Sequence, residues 1–343
     1  DGSYQETEEY SSFQDSLSSA GPEDKISVLP SYEEYSSSGT DHPGLWKSKY
    51  VTVQGDNAYM NMHTRPGGLV KYDISNPQNP VVEDSWTTPY VPNGPNTNAV
   101  LGDYVYMGLN GGAVGFVDTN DTSSSNMKTK GYSGWQGFDI DVEGDYAYLA
   151  DTTWGGLVIF DISDRSEPKT VSQVPAFAGG VNASGNYAYF TNYVRGRLEI
   201  YDVSDPENPS LTGNVNVGSF PVPLEVTEGY AYVQEYGGSD LYIVDVRDPA
   251  NPAKVTGGKI DLPGTIPSGG AVRIRGNTLY ATTAIEGGGV VSVYDISDRS
   301  NPKKITQYSA NYGDRYYEFT TGDVNGTDVY VPLYHPWTEE NNK

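Results

Sequence analysis

Short runs of consecutive apolar residues, each closed by an aspartate and a polar turn, punctuate this chain at a regular interval. Six such segments stand out: LVKYDISNPQNP, AVGFVDTNDTSSS, LVIFDISDRSEP, LEIYDVSDPENP, LYIVDVRDPANP and VVSVYDISDRSNP. Their aspartates, Asp73, Asp118, Asp161, Asp202, Asp245 and Asp295, recur at roughly four dozen residues, about the length of one four-stranded propeller blade. A run that is apolar at nearly every position, rather than at alternate ones, fits a strand buried on both faces because sheets stack on one another.

A second pattern precedes each run. GDNAY, GDYVY, GDYAY, GNYAY, EGYAY, GNTLY and GTDVY place tyrosines at Tyr59, Tyr106, Tyr148, Tyr189, Tyr232, Tyr280 and Tyr330. Glycine beside aspartate or asparagine is tight-hairpin chemistry, because glycine supplies the positive φ, so each motif predicts an inner strand turning into a second strand. The apolar run is then the third strand, and segments after the proline, such as KTVSQV and KKITQY, are the fourth. One tyrosine per repeat predicts a ring packed between blades with its hydroxyl bonded at an edge.

Seven hairpins against six runs predict an all-β fold: a seven-bladed β-propeller of four-stranded antiparallel blades, the last incomplete, with an extended acidic N-terminal tail. No apolar run follows YVPLYHPWTEENNK, so the last blade needs an outer strand from elsewhere, since an open sheet edge invites aggregation. KISVLP (Lys25 to Pro30) is the one β-like segment before Trp46. It can pair within its own chain or with a neighbour.

LVIFDISDRSEP and LYIVDVRDPANP resemble the LVIVD repeat of secreted and cell-surface β-propellers from archaea and bacteria. The resemblance runs from about Trp46 to the C-terminus and implies that fold and location. It supplies no shared catalytic motif.

Composition agrees with a place outside the cell. The formal charge of −24, from 45 acidic against 21 basic residues, repels nucleic acid and anionic membranes and favours solubility in salty water. There is no cysteine and no apolar run long enough to cross a bilayer as a helix. Beginning at Asp1 suggests a mature product freed of a signal peptide, and sequons at Asn120, Asn182 and Asn325 suit glycosylation of a surface protein. Residues 1–44 form a separate Ser- and acid-rich tail, and residues 45–343 the propeller. Its apolar residues are Tyr10, Phe13 and Leu17, spaced as on a short amphipathic helix, and Ile26, Val28 and Leu29. These are the expected anchors on a neighbouring subunit.

No catalytic motif emerges. His42, His63 and His335 lack metal-ligand spacing, and neither Gly-x-Ser-x-Gly nor a phosphate-cradling loop occurs, so the expectation is no enzyme, no cofactor and no metal. The repeat aspartates lack the ligand count of a calcium loop and read as turn residues accepting backbone N–H bonds. What does not repeat is the loop face, where Arg65, Trp135, Trp154, Tyr193, Arg195, Tyr236 and Arg315 are the expected binding residues. The reading is a secreted, non-enzymatic structural protein that self-assembles into a filament or surface layer through its tail. The alternative is a monomeric adhesin or receptor that binds a polysaccharide or protein on its loop face.

Overall fold

The computed structural model describes residues 25–29, 48–62, 67–77, 79–88, 95–109, 113–121, 127–131, 137–152, 155–264, 271–285, 288–311, 318–319, 322–325 and 328–334. Strand β1 (Lys25–Leu29) comes first and stands apart. Six successive four-stranded meanders follow. Blade one comprises β2 (Ser48–Gln54), β3 (Asn57–Met62), β4 (Gly67–Asp73) and β5 (Val81–Thr88). Blade two comprises β6 (Pro95–Leu101), β7 (Tyr104–Leu109), β8 (Ala113–Asp118) and β9 (Lys128–Gly131). Blade three has β10 (Gly137–Glu143), β11 (Tyr146–Asp151), β12 (Gly156–Asp161) and β13 (Lys169–Val174). Blade four has β14 (Ala178–Ser184), β15 (Tyr187–Asn192), β16 (Arg197–Asp202) and β17 (Ser210–Asn216). Blade five has β18 (Pro221–Thr227), β19 (Tyr230–Glu235), β20 (Asp240–Asp245) and β21 (Ala253–Asp261). Blade six has β22 (Val272–Arg275), β23 (Thr278–Ile285), β24 (Gly288–Asp295) and β25 (Lys303–Asn311).

The expectation of seven such blades is corrected to six. A seventh hairpin does form, from β27 (Asp323–Asn325) into β28 (Asp328–Tyr334), but its sheet is of another kind. Its inner strand is split, with β26 (Glu318–Phe319) and β27 pairing along the same antiparallel partner, β28. The far edge of β28 is taken by β1, which runs parallel to it, Lys25 opposite Asp328 through Leu29 opposite Pro332. A strand arriving from the far end of the chain need not reverse as a hairpin does, so the meander's antiparallel rule no longer applies.

Packing follows the apolar pattern. The third strands are sealed, Leu157 to Phe160 being wholly buried, whereas the outer β13 has no buried residue. The core is a set of layers between neighbouring blades. Tyr106 and Phe116 of blade two meet Ile140, Leu149 and Phe160 of blade three. Tyr59, Leu69 and Trp86 of blade one meet Met107 and Leu109 of blade two. All seven hairpin tyrosines are buried, none more than 6% exposed. Gly55, Gly102, Gly144, Gly185 and Gly276 turn the hairpins at φ of 57–60°, as a type II′ turn requires at its first central position. Blade five departs from this: Glu228 stands there at φ 51°.

Candidate functional site

The residue paired with each hairpin tyrosine lies on the innermost strand of its sheet. These are Thr52, Ala99, Asp141, Asn182, Glu225, Arg273 and Asp323, each seven positions before its tyrosine. The innermost strand is a sheet edge, so its outward N–H groups have no strand to bond. The ring residues supply partners across the gap between sheets. Asp141 Oδ2 accepts the Ala183 N–H of the next blade at 2.8 Å, and Asp323 Oδ2 accepts the Val53 N–H at 2.8 Å. Glu225 accepts the Ile274 N–H, and Asp139, two residues before Asp141, accepts the Val181 N–H at 3.0 Å. Each acceptor is a carboxylate stapling one blade to the next.

Together these side chains line a central cavity of about 260 Å³ with Tyr50, Asn98 and Arg275. Its charges are unevenly spread. Arg273 and Arg275 reach Asp323 Oδ1 at 3.2 Å each and Glu225 at 3.6 and 3.9 Å, and Arg273 also donates to the Tyr50 hydroxyl at 2.9 Å. On the other wall Asp139 accepts from Thr97 Oγ1 at 3.2 Å, and Asp141 from Asn182 Nδ2 at 2.9 Å.

Burial dominates their protonation. Loss of solvent pushes Asp139 and Asp141 up to about 6 and Glu225 up to about 7, against the lowering effect of backbone N–H bonds and, for Asp139 and Glu225, of Arg273. Tyr50 is pushed up to about 12 by the same burial. Burial works against the Arg273 charge, yet Tyr50, Asp323 and Glu225 outweigh it and hold its pKa above the ordinary arginine range. Carboxyls that titrate near neutrality beside fixed guanidiniums can exchange protons and orient a polar ligand.

Of the loop-face residues read from the sequence, Tyr193, Arg195 and Tyr236 are described; Arg65, Trp135, Trp154 and Arg315 lie outside the described residues. Tyr193 is part of an aromatic row. Its ring centroid is 6.1 Å from Phe177 and 6.1 Å from Phe220, and its hydroxyl donates to the Thr152 carbonyl at 3.2 Å. Phe220 is 53% exposed at φ 48°, and Tyr236, whose N–H bonds the Phe220 carbonyl, is 41% exposed. Arg195 sits beside Glu199 at 3.7 Å. Tail residues Tyr10, Phe13 and Leu17 lie outside the described residues, and Ile26, Val28 and Leu29 fall within β1. Asn120 and Asn325 are exposed, the latter donating to the Gly55 carbonyl, whereas Asn182 faces the channel.

Sequence reasoning missed the whole channel set: Tyr50, Asp139, Asp141, Glu225, Arg273, Arg275 and Asp323. The signal that finds most of them is the fixed offset from the tyrosine motif.

LVIVD repeats match at residues 47–88, 136–175, 177–217 and 223–256, within blades one, three, four and five. No curated protein matches the sequence. The fold resembles the β-propeller domain of Myceliophteria thermophila Cps50 (Swd1), at TM-score 0.62 and 13% identity over 89% of this chain and 97% of that one. It also resembles the periplasmic gluconolactonase of Pseudomonas aeruginosa, at TM-score 0.62 and 13% identity over 77% of this chain and 86% of that one. A candidate 6-phosphogluconolactonase of Bacteroides uniformis aligns at TM-score 0.65 and 13% identity, again over 77% and 86%. These likenesses correct the expectation that the chain is no enzyme, because propellers of this shape include proteins named as lactonases. Missing nucleophile and phosphate-loop motifs therefore exclude nothing. Identity this low shows the fold alone and assigns this chain no reaction.

Proposed function

We propose that this β-propeller with LVIVD repeats is an assembly scaffold of the cell exterior, in which strand β1 joins one copy to the next. The observation that carries the reading is the parallel pairing, within one chain, of β1 with β28, which covers a sheet edge that no other described strand takes. Main-chain pairing of this kind is how an added strand confers affinity, and the β28 edge offers the same backbone groups to a β1 donated by a neighbour. Exchange in one direction gives a head-to-tail contact, which propagates into a filament unless it closes a ring. The net charge of −24 supports a soluble surface in salty water outside the cell, and the exposed Asn120 and Asn325 are the sequons best placed for a glycan.

Particle size tests this. The full chain should form polymers or rings in electron micrographs and light scattering, and deletion of residues 1–30 should yield single propellers with a lower melting temperature. Deletion of residues 1–22 keeps β1 and should keep the assembly. A full chain that is monodisperse and monomeric at every concentration overturns the reading.

A second reading is favoured by the row Phe177, Tyr193 and Phe220. A phenylalanine held at positive φ and left exposed is a costly arrangement, of order 1–3 kcal/mol, and such strain concentrates at binding sites. It supports a surface receptor that takes a polysaccharide or protein on the loop face. Phe220→Gly should then abolish ligand capture while raising stability.

A further inference from the structure

Every third strand of the six regular blades is covered on its outer side by an antiparallel fourth, from β4 by β5 to β24 by β25. In the last sheet β28 takes the second position and β1 the third, and there the order stops. Among the described residues β1 pairs with β28 and with no other strand. A ladder engages alternate residues of a strand on each side. The half of the β1 backbone N–H and C=O groups that faces away from β28 therefore has no strand partner among the described residues, and an edge of that kind recruits stray strands unless it is covered.

The chain arrives at Lys25 through Gly21-Pro22-Glu23-Asp24, a turn composition in which proline presets φ. Strands joined by so short a connection are ordinarily neighbours, and the tether makes their pairing intramolecular. An outermost strand here also needs little apolar surface: β13 has no buried residue, and β17 has only Gly213. The segment before the turn, Ser16-Leu17-Ser18-Ser19-Ala20, has that polar character.

We infer that residues 16–20 form the outermost strand of the last sheet, antiparallel to β1, with Ala20 opposite Lys25 and Ser16 opposite Leu29. This register sets Leu17 in line with Val28 and, beyond it, with Val331, which is wholly buried. The added strand is protective. It closes the edge to other copies and leaves β1 and β28 as the pair through which chains can exchange. A four-residue connection carries the segment along whether β1 reaches its own β28 or a neighbour's, so this pairing is independent of the assembly. Other occupants fit less well. Residues 335–343 follow β28 and would have to step over β1, and Glu339, Glu340, Asn341 and Asn342 are poor strand formers. A strand from a second copy competes with one tethered four residues away. A helix through Tyr10, Phe13 and Leu17 leaves the edge open.

The test is hydrogen–deuterium exchange read residue by residue across β1 in the full chain, with light scattering on the same samples. Amides facing β28 and the alternate amides facing outward should both be protected. Deletion of residues 1–22 should speed exchange of the outward amides by on the order of a hundredfold and leave the inward ones protected. L17P/S18P should do the same at full length, because one of the two prolines removes a ladder N–H in either phase of the pairing, and it reads the same edge should the deletion fail to fold. Thr338→Pro should change nothing. Outward amides that exchange freely in the full chain, protection that survives both changes, or protection lost with Thr338→Pro would each overturn the proposal. So would outward protection that vanishes on dilution while the inward amides keep theirs, as for a strand lent by a second copy. Light scattering reports on the assembly alone: a monomer with all β1 amides protected keeps the outermost strand and overturns the filament.

Discussion

Aspartate does opposite work at the rim and in the channel of this propeller. At the rim Asp73, Asp161, Asp202, Asp245 and Asp295 end the third strands, and each accepts the N–H of the residue two positions on, at 2.8–3.1 Å. Together with hydrogen bonds from the side chain at that same position, which lead at Asp161, Asp202 and Asp245, these bonds hold the carboxyls below the usual range, with water free to solvate the charge. In the channel Asp139 and Asp141 also accept backbone N–H bonds, yet burial outweighs them and their carboxyls rise. The donor is similar in both places; the solvent is not. A rim bond closes a local turn, whereas a channel bond joins blades about forty residues apart, such as Asp141 to Ala183. Solvent exclusion, more than the hydrogen-bond count, decides what a carboxylate does here.

The largest expected effect comes from removing a channel charge. Arg273→Ala leaves Glu225 and Asp323 buried with only the more exposed Arg275, and should cost ~3–5 kcal/mol in urea unfolding. Arg247→Ala breaks the exposed pair with Asp245 and should leave the midpoint unchanged. Similar losses from both substitutions would erase the distinction between the two regions.

A pH series gives the next effect, with opposite signs at rim and channel. Asp139 and Asp141 titrate at about 6 and Glu225 at about 7 in the folded protein. In the unfolded chain these groups titrate at ~3.9 and ~4.3, so between the two ranges the folded state binds more protons and stability falls as pH rises. The rim aspartates have lowered folded values, so their contribution is present above ~3.9 and lost as pH falls below it. Melting temperature should therefore peak near pH 4 and decline from about pH 4 to 7, levelling off above the folded values. Calorimetry of D139N/D141N should show that decline reduced by on the order of 2–3 kcal/mol per aspartate. In D161N/D202N the decline should persist, and only the loss at the acid end should change.

The smallest effect sits at a rim hairpin. Glu228 occupies the position where five other hairpins have glycine, at φ 51°, and its carboxylate receives Arg299 from blade six at 2.7 Å. Glu228→Gly relieves backbone strain and forfeits an exposed ion pair, so the net gain should be ~1 kcal/mol or less. A clear loss on chemical denaturation would mean that the Arg299 contact matters more than the strain.

Much of the fold was legible because its determinants are local and periodic. Seven tyrosine hairpins gave the inner-strand register, the uninterrupted apolar runs marked the strands sealed between blades, and the aspartates marked their turns. Each feature depends on residues within one repeat. The channel was illegible for the opposite reason. At the ring position the residue type changes from blade to blade, Thr52, Ala99, Asp141, Asn182, Glu225, Arg273 and Asp323, so nothing repeats to draw the eye. Val53 and Asp323, 270 residues apart, meet only when the ring closes.

The sequence by itself determined the blade: its four strands, its hairpin and its buried third strand, all set by side-chain patterning over some forty residues. The sequence also offered KISVLP as the strand for the last sheet, but only the tertiary structure decided that this sheet is mixed rather than a seventh meander, with β1 parallel to β28, because the direction of pairing is set by backbone groups that carry no sequence signature. The tertiary structure alone also decided which carboxylates become near-neutral acids. A carboxyl's pKa depends on how much water neighbouring blades remove and which charges they bring, and ring closure sets both.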